Sequence, residues 1–316
     1  MPRNFRTGLI VPAVTALDQR GELILEDQRR LLRHCLRNGA SVIFSPGTTG
    51  EFLHLRNDQR LRLMEVSVEE VRALAQGEVW PVINGRTLAE TLSNLEAAAY
   101  IGAHRFVVAP LAISDLSVDD VVPFVRDLSL KARTGTICLY ENPDISAHPD
   151  LRLLPLETLR LLLEIPEIVG IKISAPSEVV FPIHAMVQKL ARPTPVEVYL
   201  GYALQIFSID LPESAVGGIV SGTGNLLPRE WSDAWKACMN ESPLAEDYQA
   251  ALEILERAAS PKFISAIKWG LHHLGIFSSV SGAVQTPALT EKEAAVFISA
   301  FEEARAMLRK KTVIRH

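Results

Sequence analysis

Cysteine is scarce in this sequence, and its thiols lie far apart. The chain of 316 residues holds three cysteines, Cys35, Cys138 and Cys238, and no two of them form a CxxC pair. This spacing argues against a disulfide framework and against a zinc knuckle, and it favours a reducing compartment. We therefore expect a cytoplasmic protein that disulfides do not stabilise.

Basic clusters and long apolar runs are also missing. The net charge is −5, and lysine and arginine are not gathered into an arm or block. Neither nucleic acid nor a membrane surface is therefore an expected partner. No apolar run reaches the length of a transmembrane helix, and the first apolar stretch, which Pro12 interrupts, is too short for a signal peptide. With 48% hydrophobic and 22% charged residues, the composition predicts a soluble globular protein.

The sequence does contain many short apolar segments that alternate with amphipathic ones. Such alternation is typical of a parallel sheet whose strands are linked by helices, and eight units of this length suit an α/β fold, the closed (β/α)8 TIM barrel. The main alternative is an open doubly wound sheet, but its GxGxxG fingerprint is missing after the first strand, and Gly222-Thr223-Gly224 comes too late. The predicted strands are Gly8–Thr15, Ser41–Ser45, Val79–Asn84, His104–Ala109, Gly135–Tyr140, Ile168–Lys172, Val196–Gly201 and Ala215–Ser221.

Strand signals stop beyond Pro228. The remaining segments have helical spacing, and prolines punctuate the loops between them. We therefore predict two domains: residues 1–230 form the barrel that carries the active site, and residues 231–316 form a C-terminal helical domain. The predicted helices of this second domain are Trp231–Met239, Tyr248–Ala258, Phe263–Leu274 and Glu291–Leu308.

Lys172 ends the sixth predicted strand. The preceding run, Ile168–Ile171, has the β-branched composition of a strand that is buried on both faces. An ammonium group beside this run must either reach solvent or lose its proton, because burying the charge is costly. A lysine that points outward from the strand end is the ordinary interpretation. The alternative is a neutral amine that attacks a carbonyl carbon.

Two further strand ends carry polar groups that favour the second interpretation. The second strand runs into Gly47-Thr48-Thr49-Gly50-Glu51, a turn whose hydroxyl and N–H groups can hold a carboxylate, and the fifth ends in Tyr140, whose phenol can relay protons. Barrels of this type build their chemistry at the C-terminal ends of the strands. Together these groups indicate a Schiff base between Lys172 and a 2-oxo acid. The protonated imine is then the electron sink, so no metal and no cofactor is required.

These motifs resemble the dihydrodipicolinate synthase / N-acetylneuraminate lyase family. The resemblance rests on GTTGE after strand two, LYENP at strand five, GIK at strand six, AVGGIVSGTGN at strand eight and AIKWGLHHLG near the C-terminus, and it covers nearly the whole chain. It implies a barrel with a three-helix C-terminal domain, class I aldolase chemistry on pyruvate, and a homotetramer. It assigns the Schiff base to Lys172, the proton relay to Tyr140 with help from Thr49, and carboxylate binding to Thr48 and Thr49. We also expect the substrate pocket to include Gly47, Ser174, Ile145 and Ile219.

The chain departs from both named enzymes where the second substrate binds. Dihydrodipicolinate synthases carry an arginine shortly after the strand-five tyrosine, and this chain offers Ile145 and Ser146 there. Sialic acid lyases place an acidic pair after the strand-seven glycine, and here Tyr202-Ala203 follows that glycine. This half of the pocket should therefore be more apolar, with Phe52, Ile145 and Leu204 as its candidate walls.

The proton relay also lacks one residue that the family's synthases contribute to it. Dihydrodipicolinate synthases carry a tyrosine after strand four, which a neighbouring subunit receives, but the segment Pro110–Ser114 contains no tyrosine. Thr49 and water would have to carry the protons onward, or Ser114 would have to replace the missing phenol.

Three functions remain open from the sequence. The first is a lyase or aldolase that acts on pyruvate or another 2-oxo acid, with an aldehyde as its second substrate. The second is a dehydratase of a sugar-derived 2-oxo acid that uses the same imine. The third is a binding protein that keeps the pocket but has lost turnover, and it would hold pyruvate without forming an imine that borohydride reduces.

Overall fold

Eight parallel strands form the centre of the molecule, in a computed structural model that describes residues 7–133 and 135–313. Apolar and mostly β-branched residues make each strand, and nearly every strand residue is buried, as a sheet covered by helices requires. The strands are β1 (Gly8–Pro12), β2 (Val42–Ser45), β3 (Glu78–Pro81), β4 (Arg105–Val108), β5 (Thr136–Glu141), β6 (Ile168–Ile173), β7 (Glu197–Leu200) and β8 (Val216–Val220).

The strands follow one another around a nearly continuous ring. β1 pairs with both β2 and β8, which joins the two ends of the strand sequence. Between β3 and β4 the ring is completed by a parallel bridge from Val82 to Val107, and the Ile83 N–H donates to the Val107 carbonyl at 3.0 Å. The predicted (β/α)8 barrel is therefore confirmed, and the open doubly wound sheet is excluded.

Helices cover the outside of this ring. The segments between strands form α1 (Leu25–Arg37), α2 (Asn57–Leu74), α3 (Leu88–Tyr100), α4 (Val121–Lys131), α5 (Leu156–Leu163) and α6 (Ser177–Lys189). After β7 the chain makes only a short 3₁₀ helix, Ala203–Ser208. The segments after β8 form α7 (Pro228–Met239), α8 (Leu244–Ala259), α9 (Phe263–His273) and α10 (Glu291–Val313). Among the described helices, none combines the length and the apolarity that crossing a membrane needs.

α7 packs on the barrel. A Cβ added to Gly8 of β1 would lie 3.6 Å from the Trp235 ring, and one added to Gly39 would lie 2.8 Å from the Ser232 hydroxyl. These close approaches make α7 the outer helix that follows β8, whereas the sequence prediction began the helical domain at residue 231. Residues 1–6, with which the first predicted domain and the stretch considered for a signal peptide begin, and residues 314–316, with which the second domain ends, lie outside the described residues.

Apolar side chains form two main layers. One large core lies between the strands and the helices, and a smaller cluster fills the inside of the barrel. This interior cluster consists of Ile10, Val42, Phe44, Phe52, Trp80, Val82, Val107, Ala109, Ala112, Cys138, Tyr140, Ile145, Tyr199 and Val220. Phe52 and Ile145, which follow β2 and β5, extend it beyond the strands, to the end of the barrel where the polar strand-end residues lie.

Candidate active site

Lys172 and Tyr140 lie side by side at the centre of the barrel. They are register partners on β6 and β5, and both side chains are buried, with Lys172 only 4% exposed. The Lys172 Nζ lies 3.8 Å from the centre of the Tyr140 ring and 4.3 Å from the centre of the Phe44 ring. The amine therefore faces into the barrel among aromatic rings, and the interpretation of Lys172 as an outward-pointing surface lysine is wrong.

The Tyr140 phenol is surrounded by hydrogen-bonding groups. Its oxygen lies 3.0 Å from the Thr48 Oγ1 and accepts a hydrogen bond of 2.9 Å from the Asn142 Nδ2. Burial would raise the pKa of this phenol, but the nearby Lys172 charge and hydrogen bonds with Thr48, Ser174 and Asn142 outweigh it, so that the pKa lies below its ordinary value. Lowering the pKa makes the phenolate more accessible near neutral pH, which suits a group that takes and returns protons.

The turn after β2 is held in a fixed conformation by residues from the C-terminal part of the chain. Glu51 has a left-handed φ of 62°, and its fully buried carboxylate accepts hydrogen bonds from the Lys268 Nζ at 2.5 Å, the Ala283 N–H at 2.7 Å and the Thr286 hydroxyl at 2.5 Å. Burial lowers the pKa of Lys268, although the Glu51 carboxylate opposes that shift. The C-terminal part of the chain thus fixes the turn that carries Thr48.

The predicted hydroxyl groups have different partners in the structure. The hydrogen bond to the Tyr140 phenol comes from Thr48, whereas the sequence prediction gave the relay to Thr49, which is half-buried. Ser174 is buried and bonds to the phenol as well. Ser114 is exposed and donates its hydroxyl to the Arg86 carbonyl at 2.8 Å, so this hydroxyl is engaged away from Tyr140.

The apolar residues predicted for the pocket lie in two different clusters. Ile145 and Phe52 belong to the interior cluster with Tyr140, as expected of pocket walls. Ile219 lies in the core between strands and helices, and its neighbour Val220 points into the barrel instead, because side chains alternate along a strand. Leu204 also packs against the outer core.

Gly47 occupies a position where a side chain would not fit. A Cβ at Gly47 would lie 2.7 Å from the Phe44 ring. The glycine therefore lets the turn come close to the aromatic ring that contacts the Lys172 amine.

Sequence reasoning missed two polar contacts of the site. The sequence predicted no role for Asn142 beyond its place in the LYENP motif, and the pairing of Glu51 with Lys268 joins residues 217 positions apart. The available signal was a lysine inside the apolar helical segment AIKWG, because a lysine in such a segment needs a buried partner.

A cavity of about 270 Å³ adjoins the site on the side of the C-terminal helices. Thr48 and Phe52 form part of its wall, and both also belong to the surroundings of Tyr140. Its other lining residues are Glu51, Leu53, His54, Pro261, Lys262, Phe263, Ile264, Ser265, Gln285, Thr286 and Pro287.

Comparison with known proteins gives consistent matches. The model of the dihydrodipicolinate synthetase family matches residues 5–296. The 4-hydroxy-tetrahydrodipicolinate synthase of Corynebacterium aurimucosum is 30% identical over 256 residues, which are 79% of this chain and 76% of that protein. A probable 5-dehydro-4-deoxyglucarate dehydratase of Acinetobacter baumannii is 26% identical over 171 residues, about half of each chain.

Solved structures share the same architecture. The prophage protein YagE of E. coli K12, crystallised in complex with pyruvate, superposes with a TM-score of 0.84 at 21% identity. The superposition covers 95% of this chain and 98% of YagE. At this identity the likeness establishes the fold alone, over nearly the whole chain.

Proposed function

Because the chain belongs to the dihydrodipicolinate synthetase family and is thus a lyase of the Schiff-base-forming kind, we propose that Lys172 is the amine that forms the imine with pyruvate. Tyr140 moves the protons, and Thr48 connects the phenol to the turn. The observation that carries this assignment is the buried Lys172 Nζ, 3.8 Å from the centre of the Tyr140 ring. A buried amine beside a phenol that can exchange protons is an arrangement that suits imine chemistry.

Imine formation uses both side chains in turn. The neutral Lys172 amine attacks the pyruvate C2, the C2 oxygen takes a proton, and the resulting carbinolamine loses water as the C=N bond forms. Tyr140 supplies and accepts these protons because its phenol can alternate between its two states. The protonated imine then draws electrons from the bond at C3, which allows a proton or a carbon substituent to leave.

The turn after β2 provides the carboxylate site in this proposal. Thr48 lies 3.0 Å from the phenol oxygen, Thr49 follows it in the same turn, and Gly47 brings the backbone of the turn close to Phe44. Hydroxyl and N–H groups of such a turn can bind an anion without a cationic side chain. Thr48 has the relay contact, so we assign the pyruvate carboxylate mainly to Thr49.

Borohydride trapping tests the proposal. Treating the protein with pyruvate and sodium borohydride should add a pyruvate-derived mass to the tryptic peptide that contains Lys172. Lys172→Ala should lose the label and turnover, while Lys189→Ala, which changes an exposed lysine of α6, should keep both. A label on another lysine, or none at all, contradicts the mechanism, and pyruvate binding without any label would favour the non-catalytic binding protein.

Dehydration of a sugar-derived 2-oxo acid is the second candidate. The A. baumannii relative, a probable dehydratase, supports it. The same imine would then expel a hydroxyl group as water. An assay that follows 2-oxo acid dehydration alongside pyruvate release separates this activity from aldol cleavage.

Synthesis in the lysine pathway is not favoured by the site. The semialdehyde substrate carries a carboxylate, and the position expected to hold a cationic partner is occupied by Ile145, which is 7% exposed and lies in the apolar cluster. Condensation of pyruvate with aspartate semialdehyde at ordinary enzyme rates, on the order of 1–1000 per second, would contradict this inference.

We also propose a cytoplasmic homotetramer. The family resemblance supports the tetramer, and the sparse, unpaired cysteines, of which Cys35 and Cys138 are buried, support a reducing compartment. Size-exclusion chromatography with light scattering should give about four times the mass of one chain, and a monomer would contradict the assembly.

A further inference from the structure

The cavity beside Thr48 has two aromatic walls. Phe52 is 1% exposed and lies in the same cluster as Tyr140 and Ile145. Phe263, at the start of α9, reaches the C-terminal end of β8, since a Cβ added to Gly222 would lie 2.3 Å from its ring. Phenylalanine rings from two distant parts of the chain therefore line the cavity, which adjoins the Tyr140 phenol through Thr48.

The two lysines around this space are already engaged. Lys262 lines the cavity, but its ammonium pairs with Glu293 at 2.8 Å. Lys268 is fully buried in its ion pair with Glu51. His54 is the other basic residue of the lining, and it is exposed.

A carboxylate placed in the cavity would therefore meet mainly apolar surface. Moving a carboxylate from water to such surface without a charged partner is strongly unfavourable, whereas an apolar group gains free energy in proportion to the area it buries. A volume of about 270 Å³ accommodates a phenyl ring or a branched alkyl group.

We propose, on the basis of the function proposed above, that the second substrate is an aldehyde with a neutral, apolar substituent, which lies in the cavity between Phe52 and Phe263. The pyruvate imine loses a C3 proton to the Tyr140 relay and becomes an enamine. Its C3 attacks the aldehyde carbon, forming the C–C bond, and the aldehyde oxygen takes up a proton. Water then hydrolyses the imine, which frees the Lys172 amine and releases a 4-hydroxy-2-oxo acid.

Steady-state kinetics with four aldehydes test this proposal. Each is assayed with pyruvate by following pyruvate consumption, and the probes are benzaldehyde, 3-methylbutanal, aspartate semialdehyde and glyceraldehyde. The expected result is a kcat/KM for benzaldehyde or 3-methylbutanal at least about 10-fold above that for the other two, the scale on which apolar pockets discriminate.

Variants locate the substituent. Phe263→Ala should lower kcat/KM for the preferred apolar aldehyde at least about 10-fold and leave borohydride trapping of pyruvate intact. Phe263→Leu, which keeps most of the volume, should lower it less and serves if Phe263→Ala does not fold. Phe181→Ala, which removes a 44% exposed phenylalanine from α6 outside the cavity, should change nothing.

The outcomes separate this inference from the proposed function. If pyruvate is trapped on Lys172 but aspartate semialdehyde or glyceraldehyde has the highest kcat/KM, the inference is wrong and the proposed function stands. If Phe263→Ala leaves the apolar aldehyde unaffected, the substituent does not lie in this cavity. If pyruvate is never trapped, the proposed function fails, and the inference fails with it.

Discussion

In the proposed mechanism, proton movement depends on the phenol of Tyr140. Its oxygen contacts Thr48 and Asn142 at 3.0 and 2.9 Å, and its ring lies against the Lys172 amine. A tyrosine in water is a weak base at neutral pH because its pKa is near 10. These neighbours stabilise the phenolate, so removing either the phenol or its hydrogen-bonding partners should slow every step in which a proton moves.

Tyr140→Phe should lower turnover by about 10²–10⁴-fold, the range for one general acid–base group. Pyruvate imine formation should slow as well, because carbinolamine dehydration also needs a proton. Thr48→Val should reproduce part of this loss, and Thr49→Val should instead raise the KM for pyruvate. Stopped-flow trapping and steady-state rates check this prediction, and rapid imine formation at parental turnover in Tyr140→Phe would show that the protons take another route.

Asn142 makes two hydrogen bonds that substitutions can separate. Its Nδ2 donates to Tyr140, and its Oδ1 accepts the Asp144 N–H at 3.0 Å. Asn142→Asp keeps the acceptor but removes the donor, so it should raise the pKa of Tyr140 and move the acidic limb of the kcat/KM pH profile upward by about one pH unit, the scale of one hydrogen bond to a charged group. An unchanged profile in Asn142→Asp would mean that Asn142 serves only the backbone at Asp144.

At the scale of elements, the turn after β2 depends on α9. The Glu51–Lys268 pair is fully buried, and breaking such a pair costs about 3–5 kcal/mol because it leaves a buried charge without a partner. The same turn carries Thr48, so a displaced Glu51 should also disturb the relay. Stability and activity are therefore coupled at this contact between the barrel and the C-terminal helices.

Lys268→Met should lower the free energy of unfolding by about 3–5 kcal/mol, measured by urea denaturation. The double change Lys268→Met with Glu51→Gln should recover part of the loss, because no unpaired charge remains. Lys262→Met is the matched control, since its pair with Glu293 is partly exposed at 27% and 45% and should cost less than about 1 kcal/mol. A loss from Lys268→Met no larger than the control's would contradict the structural role.

For the whole molecule, two buried carboxyl groups set part of the pH dependence of stability. Burial raises the pKa of Glu141 and of Glu256 to about 7, despite hydrogen bonds from the Leu154 N–H and the Thr223 hydroxyl. A folded-state pKa above the unfolded value means that the fold keeps a proton that the unfolded chain releases. Stability from this source is therefore present below about pH 4.5 and lost as the pH rises to about 7.

Glu256→Gln, which mimics the protonated side chain, should remove its share of this dependence. Relative to the parent, the variant should gain stability between pH 5 and pH 8, on the order of 3 kcal/mol at most for a shift of this size. Urea denaturation at the two pH values measures the gain, with the exposed Glu303→Gln as control. An equal difference from the parent at both values would mean that Glu256 does not titrate in this range.

We propose that the division of the chain into a barrel and a C-terminal layer falls after Met239. The contacts of Trp235 and Ser232 with the barrel support this boundary. α8, α9 and α10 then form the C-terminal layer, whose apolar contacts include the stacked rings of Phe297 and Phe301.

The sequence by itself determined the barrel and the placement of Lys172 and Tyr140 on neighbouring strands. Eight apolar runs in alternation with helices specify a parallel barrel, because each run must be buried on both faces, and the C-terminal ends of the strands bring Lys172 and Tyr140 to one end of it. The sequence also showed that Ile145 stands where the family's synthases carry an arginine, because the absence of a charged residue can be recognised without knowing the conformation.

Only the tertiary structure decided which neighbours lie beside Lys172 and Tyr140. Whether Thr48 or Thr49 contacts the Tyr140 phenol depends on the conformation of the turn. Whether Ile219 or Val220 faces the inside of the barrel depends on the alternation of side chains along β8, which a sequence cannot fix when the strand boundary is uncertain by one residue. The contact of Lys268 with Glu51 joins residues 217 positions apart. Sequence patterns reveal the periodicity within one helix or strand, and they therefore do not reveal such a contact. Partnerships between distant elements arise only when packing brings them together.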